Sequence, residues 1–141
     1  MSVQKLNPYI HFNGNAEKAI QLYESALGAK VGNIMRHGDM PGTSVPSDKN
    51  LMMHAVLRIG EGEIMLSDTV SSAPVAVGTN MQIALHFVDE AETARAFDAL
   101  AAGGRINMPL QDTFWGAKFG MLTDAYGVQW MFDCEKKKAE A

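Results

Sequence analysis

The chain has 141 residues and a mass of 15.3 kDa, enough for one core rather than two independent domains. It is 47% hydrophobic and 20% charged with 13 glycines and 5 prolines, which excludes a disordered or collagen-like chain. A formal net charge of −4 leaves no basic footprint for a phosphate backbone, so nucleic acid is not an expected partner.

Met1 to Leu6 carry Lys5 but no apolar signal core, and no run of about eighteen apolar residues follows anywhere. With Cys134 as the one cysteine, neither an internal disulfide nor a cysteine-rich metal site is available. A reducing, cytoplasmic location without a membrane partner is expected. After Asn15, the residues Ala16, Ala19, Ile20, Tyr23 and Leu27 keep the spacing of one buried helical stripe. Gly28 stands where a left-handed cap would close that helix. Strand-like runs follow at Val31 to Met35, Leu51 to Ile59 and Glu63 to Leu66, the last two joined by Gly60-Glu61-Gly62. His37 to Asn50 between them is rich in Pro, Gly and Ser and reads as a mobile loop, and Ser71 to Asn80 as a linker.

The second half repeats the pattern. A helix opens at Asp89 with Glu92 three residues on, a capping-box arrangement, passes Ala94, Phe97 and Ala101, and stops at Gly103-Gly104. Strands are expected at Arg105 to Met108, Lys118 to Thr123 and Val128 to Phe132, the last two joined by Asp124-Ala125-Tyr126-Gly127. Shifted forward by 75 residues, His11 falls on His86, Phe12 on Phe87, Ala16 on Ala91, Glu17 on Glu92, Ala19 on Ala94 and Gly28 on Gly103. The caps and flanking strands agree with these identities, which marks an internal duplication. The expected architecture is α+β, with two βαβββ modules in one domain: module one over about 6–69, a linker at 70–80, module two over about 81–134, and a solvated tail at 135–141.

Paired βαβββ modules of this size resemble the vicinal oxygen chelate superfamily, which includes glyoxalase I, bleomycin-resistance proteins and extradiol dioxygenases. The segments Asn7-Pro-Tyr-Ile-His-Phe-Asn-Gly-Asn-Ala-Glu, Gly38-Asp-Met-Pro, His54-Ala-Val-Leu-Arg-Ile-Gly, Met65-Leu-Ser-Asp, Pro109-Leu-Gln-Asp-Thr-Phe-Trp-Gly and Asp124-Ala-Tyr-Gly-Val-Gln-Trp-Met resemble its PhnB-like branch. The resemblance implies strands curled around a central cavity, a homodimer, and in many members a divalent metal. The metal ligands would fall on Asn7 or Pro8, Met65, Gln82 and Met131. Two thioethers and two amides cannot replace the hydration shell of a hard or borderline ion, so no metal and no cofactor is expected. A methyltransferase label attached to this branch finds no glycine-rich strand-to-helix loop to support it.

Strand parity turns Tyr9, His11, Gln82, Ala84 and His86 toward the cavity and Ile83, Leu85 and Phe87 toward the helix. His54, with Val56 and Arg58, lies opposite the apolar face of Met53, Ala55, Leu57 and Ile59, and stands either on a cavity wall as a catalytic group or as a hydrogen-bonded core or rim histidine. His11, His54 and His86 form an alternative metal set that lacks a carboxylate partner. Met65, Met131, Gln82 and Tyr9 would line the pocket, while ten methionines suit irregular core filling as well as a cavity. Phe114 and Trp115, read in a loop from Gln111 to Gly116, serve either as an aromatic wall for a ligand or as a lid or subunit contact. Asp68 is either an acid or base or a turn cap.

Three functions follow: binding of a small molecule in a metal-free cavity; metal-independent catalysis on a small polar or phosphonate-like substrate with His54 as acid or base; and a metal-dependent lyase or dioxygenase, which the ligand positions oppose. No nucleophile-elbow context surrounds the serines, so acyl transfer is not indicated.

Overall fold

The structure is a computed structural model and describes residues 2–42 and 46–136. It divides into two compact units, 1–76 and 77–141, the boundary falling within the expected linker. Unit one runs β1 (Tyr9–Phe12), α1 (Ala16–Leu27), β2 (Lys30–Arg36), β3 (Met52–Ile59) and β4 (Gly62–Asp68). Unit two runs β5 (Ile83–Phe87), α2 (Glu90–Ala101), β6 (Arg105–Asp112), β7 (Ala117–Thr123) and β8 (Gln129–Glu135). Each unit forms one four-stranded mixed sheet, ordered β1-β4-β3-β2 and β5-β8-β7-β6. The first strand lies parallel to the fourth, and the remaining pairs are antiparallel. This is the α+β arrangement of two βαβββ modules. Among the described residues no helix is long and apolar enough to cross a membrane.

One helix covers one face of each sheet. α1 buries Ala16, Ala19, Ile20 and Tyr23 in a unit whose strands bury Phe12, Ala55, Leu57, Ile64 and Leu66. Gly28 closes α1 at φ 66°, and its N–H bonds back to Glu24. The stripe of α2 is Thr93, Ala96, Phe97 and Leu100 rather than Ala94, Phe97 and Ala101. Thr93 tolerates full burial because its hydroxyl donates to the Asp89 carbonyl at 2.7 Å. Phe132 stacks on Phe87 at 5.2 Å and meets Phe97 edge-on at 5.1 Å. Gly120 makes room for this cluster, since a Cβ there would lie 2.9 Å from the Phe97 ring and 3.1 Å from Leu110.

Two buried carboxylates pin the loops. Asp68, at the end of β4, accepts from the N–H groups of Gly14 and Ala16 with one oxygen and from Met52 with the other, at 2.9–3.0 Å. It caps α1, whose Asn15 makes no side-chain cap of its own, and fixes the start of β3. α2 is capped by its own Asp89, which accepts from Glu92 N–H at 2.9 Å. Asp124 collects the N–H groups of Tyr126 and Val128 and the indole N–H of the fully buried Trp130.

The outer strands are irregular. Register shifts between Gly32 and Met35 and again before Arg36 in β2, and twice between Ile106 and Gln111 in β6. Asn33 in β2 sits at φ 53°. β6 continues through Pro109 to Asp112, past its expected end at Met108, because an edge strand tolerates a residue without an N–H. The stretch 37–50 holds 3-10 turns at His37–Asp39 and Pro46–Asp48, and residues 43–45 lie outside the described residues. Of the expected tail, Glu135 belongs to β8 and the Lys136 ammonium lies 3.1 Å from Asp112; 137–141 lie outside the described residues.

Asp68→Ala strips the acceptor from three amides and is expected to cost on the order of 3 kcal/mol or more in urea unfolding. Asp68→Asn, which retains one acceptor oxygen, is expected to lose visibly less. A change below about 0.5 kcal/mol for Asp68→Ala, the size of a neutral surface substitution, would refute the capping role.

Candidate functional site

With the helix on one face, alternation assigns every second strand residue to the other, and cross-strand partners share a face. In unit one this open face resolves into three rows about 7 Å apart. The first is Lys30, Arg58 and Glu63. The second is Gly32, Val56, Met65 and Tyr9. In the third, Met35 pairs with His54 and Ser67 with His11, and the β3–β4 register continued one step sets His54 beside Ser67. The face therefore grades from charged to apolar to imidazole.

Hydrogen bonds join the third row internally and to Tyr9 of the second. Tyr9 Oη lies 2.9 Å from His54 Nδ1, and Ser67 Oγ lies 2.9 Å from His11 Nδ1. The Tyr9 ring stacks on His11 with centroids 4.9 Å apart and an interplanar angle of 20°, and tilts against His54 at 5.7 Å. Ser67 is buried at 6% exposure while Tyr9 is 39% exposed, so the cluster is rooted in the sheet and open outward. At the charged end, the Glu63 carboxyl is held below its ordinary range by a hydrogen bond from the Lys5 ammonium and then by that group's charge. Arg36, outside these rows, is raised above its ordinary value by its hydrogen bond and ion pair with Glu17.

The open face of unit two differs. Its middle row is Ala84, Met131, Met121 and Met108, three thioethers abreast. The Gln82 amide donates to the Met121 sulfur at 3.2 Å. The next row is His86, Asp133, Phe119 and Gln111, with His86 Nδ1 3.4 Å from the Asp133 carboxylate. Trp115 packs edge-on to Phe119 at 6.0 Å and Phe114 to Trp115 at 5.0 Å. The aromatic pair is 97% and 58% exposed at Phe114 and Trp115, in the tight turn between β6 and β7.

Of the expected residues, Tyr9, His54 and Met65 come together on the open face of unit one, and Gln82 and Met131 on that of unit two. Phe114 and Trp115 extend from unit two through Phe119. Of the two readings of Asp68, the structure favours the cap over the acid or base: it faces the helix at 4% exposure with both oxygens engaged by backbone N–H groups. Ser67, Met121, Met108 and Phe119 were not singled out from the sequence. Ser67 is recognisable only once β1 is known to run parallel beside β4. A depression of about 430 Å³ also exists in unit one, lined by residues including Asn13, Asp48, Thr69 and Ser71. Its polar groups serve one another: Asp48 accepts from the Ser71 hydroxyl, and Asn13 holds both backbone groups of Val75.

The metal-ligand positions carry the wrong donors. Met65 and Met131 are thioethers, and Asn7 and Gln82, whose amide nitrogens donate to the Glu63 carbonyl at 3.0 Å and to the Met121 sulfur at 3.2 Å, offer only neutral amide oxygens. This set does not fit a hard or borderline divalent ion. Among the described residues no group of three His, Cys, Asp or Glu side chains is arranged to hold one.

A family model described as the Glyoxalase/Bleomycin resistance protein/Dioxygenase superfamily matches residues 5–132. Protein YjdN of Escherichia coli is 35% identical over 143 residues, covering 94% of this chain and 97% of its own. The crystal structure of PA1353 from Pseudomonas aeruginosa superposes with a TM-score of 0.86 at 38% identity, covering 96% of this chain and 100% of that one. The PhnB protein from Bacillus cereus gives a TM-score of 0.79 at 28% identity, with 93% and 99% covered.

Elemental analysis of the purified chain is expected to find no stoichiometric Zn, Ni, Fe or Mn. A stoichiometric ion that is lost on Gln82→Ala would restore the family's ligand positions, and one lost on His11→Ala or His54→Ala would place a site among the histidines.

Proposed function

The chain belongs to the Glyoxalase/Bleomycin resistance protein/Dioxygenase superfamily and, within it, to the PhnB-like branch, and on that premise we propose that it binds a small molecule without a metal. The observation that carries this reading is the open face of unit one. A hydrogen-bonded tyrosine–histidine pair stands beside the apolar row of Val56 and Met65. A few placed polar groups against an apolar surface are what a small ligand requires for orientation and affinity. The thioethers at Met65 and Met131 support it, since they replace metal-binding chemistry with adaptable apolar contact.

Metal-independent catalysis on a small polar or phosphonate-like substrate is the second reading. Its support is the Tyr9 contact at His54 Nδ1, which leaves Nε2 free of that bond to exchange a proton with a substrate. Methyl transfer is not carried over from the branch. The turn into α1 offers no glycine-rich cradle, and its leading N–H groups are already taken by Asp68.

A cytoplasmic location and a homodimer belong to the same proposal. The free Cys134 is buried, which suits a reducing compartment, and the exposed Phe114 and Trp115 suit a subunit contact or a ligand wall.

Native mass spectrometry of the protein as purified is expected to show a small-molecule adduct that His54→Ala removes, with unfolding stability lowered by no more than about 1–2 kcal/mol. An adduct retained by His54→Ala, or a His54→Ala protein that unfolds like a core variant, would overturn the assignment. Light scattering at micromolar concentration is expected to give twice the 15.3 kDa chain mass. If Trp115→Ala shifts that mass toward the monomer, Trp115 is a subunit contact; if the mass holds and the adduct is lost, it is a ligand wall.

A further inference from the structure

We propose that His11 and His54 present their Nε2–H groups as a fixed pair of donors for an oxygen-acceptor head of the ligand, an oxyanion such as a phosphonate, phosphate or carboxylate. We further infer that His86, the duplicate of His11, has the opposite polarity. The first part rests on the small-molecule reading of the open face; the tautomers themselves do not.

The inference comes from the partners at Nδ1. A neutral imidazole carries one N–H and one lone pair, and whichever group the first nitrogen meets decides what the second can offer. His11 and His54 each meet a hydroxyl at Nδ1, from Ser67 and Tyr9, both at 2.9 Å. A hydroxyl can donate or accept, and in this proposal it donates to the ring nitrogen, the far stronger base of the two. The ring proton is then on Nε2 in both residues. Neither ring keeps a free lone pair for a metal ion, while both offer a donor on the same face.

The duplication supplies the internal contrast. Ser67 and Asp133 occupy equivalent places in β4 and β8, opposite His11 and His86 respectively. The carboxylate of Asp133 can only accept, so the contact at 3.4 Å favours the proton of neutral His86 on Nδ1, with the lone pair on Nε2. One substitution between the two halves, hydroxyl for carboxylate, thus inverts the polarity of equivalent histidines. Lys30 and Arg58 lie in the first row, on the order of 13 Å along the strands from the imidazole row, and Lys5 is held at that same end by Glu63. The donors at the imidazole end are the two rings, not a lysine or arginine.

The test is long-range ¹H–¹⁵N correlation on the full chain labelled with ¹⁵N-histidine, without ligand, near pH 8.5, about two units above the ordinary imidazole pKa. Signals are assigned with His11→Gln, His54→Gln and His86→Gln. Protonated-type shifts are expected at Nε2 of His11 and His54 and at Nδ1 of His86. Protonation at Nδ1 of His11 or His54, or at Nε2 of His86, overturns the assignment. Asp133→Ser is expected to move the His86 proton to Nε2, and Ser67→Asp to move that of His11 to Nδ1. Because Ser67 is buried and its variant risks misfolding, Asp133→Ser alone decides this arm. Titration at pH 7.5 with methylphosphonate, inorganic phosphate and acetate in parallel is expected to perturb the Nε2–H signals of His11 and His54 together, and the anion that does so at lowest concentration names the head group. If the tautomers are as expected but no anion perturbs them, the oxyanion head fails. If the tautomers are wrong while an adduct persists on the purified chain, the polarity inference fails and small-molecule binding stands.

Discussion

A four-stranded sheet has two faces, and each unit of this chain has a single helix to cover one of them. Nearly every other feature follows from that shortage. The period of two along each strand must send one residue to the helix and the next away from it. The helix side therefore collects Phe12, Leu57, Leu66, Trp130 and Phe132, all at 3% exposure or less. The other side is not covered by the unit's own helix and carries the polar and thioether side chains. Hydrogen-bonded tyrosine, serine and histidine occupy it in unit one, and a row of methionines bordered by aromatics in unit two.

Much of this was legible in the chain. Repetition at a fixed offset exposed the modules, and the apolar stripe after Asn15 with its glycine stop located α1 within a residue at each end. Parity along β3 and β5 separates the two faces because the β3–β4 and β5–β8 registers run without a shift. Three things were not legible, each for a physical reason. Asp68 stays undecided between site carboxylate and cap until β4 is seen to end beside the helix start, where three amides need an acceptor. Thr93 looks too polar for a core stripe until its hydroxyl is paired with the carbonyl four residues back. Ser67 gains meaning only from β1 running parallel to β4, a long-range pairing that no local pattern encodes.

The two halves also show how a duplication diverges without losing its frame. Backbone needs are the same in both, since each helix start exposes N–H groups and each sheet needs a tight hairpin. The side chains that meet those needs have moved. Asp68 caps α1 from a neighbouring strand, whereas α2 caps itself with Asp89, and Cys134 fills the buried place across from Phe87. Hydrogen-bonding demand is conserved as a quantity, and the residue that answers it is not.

The irregular outer strands have a consequence for how copies of the chain can meet. A straight, well-paired border would offer its unpaired amides and carbonyls to another molecule and permit growth without end. Here β2 and β6 are broken by register shifts, with Asn33 turned to a positive φ and Pro109 lacking a donor. The opposite borders, β1 and β5, are only four and five residues long. Edge-to-edge addition is therefore disfavoured at all four borders, and contact between copies falls to the faces and loops rather than to strand edges.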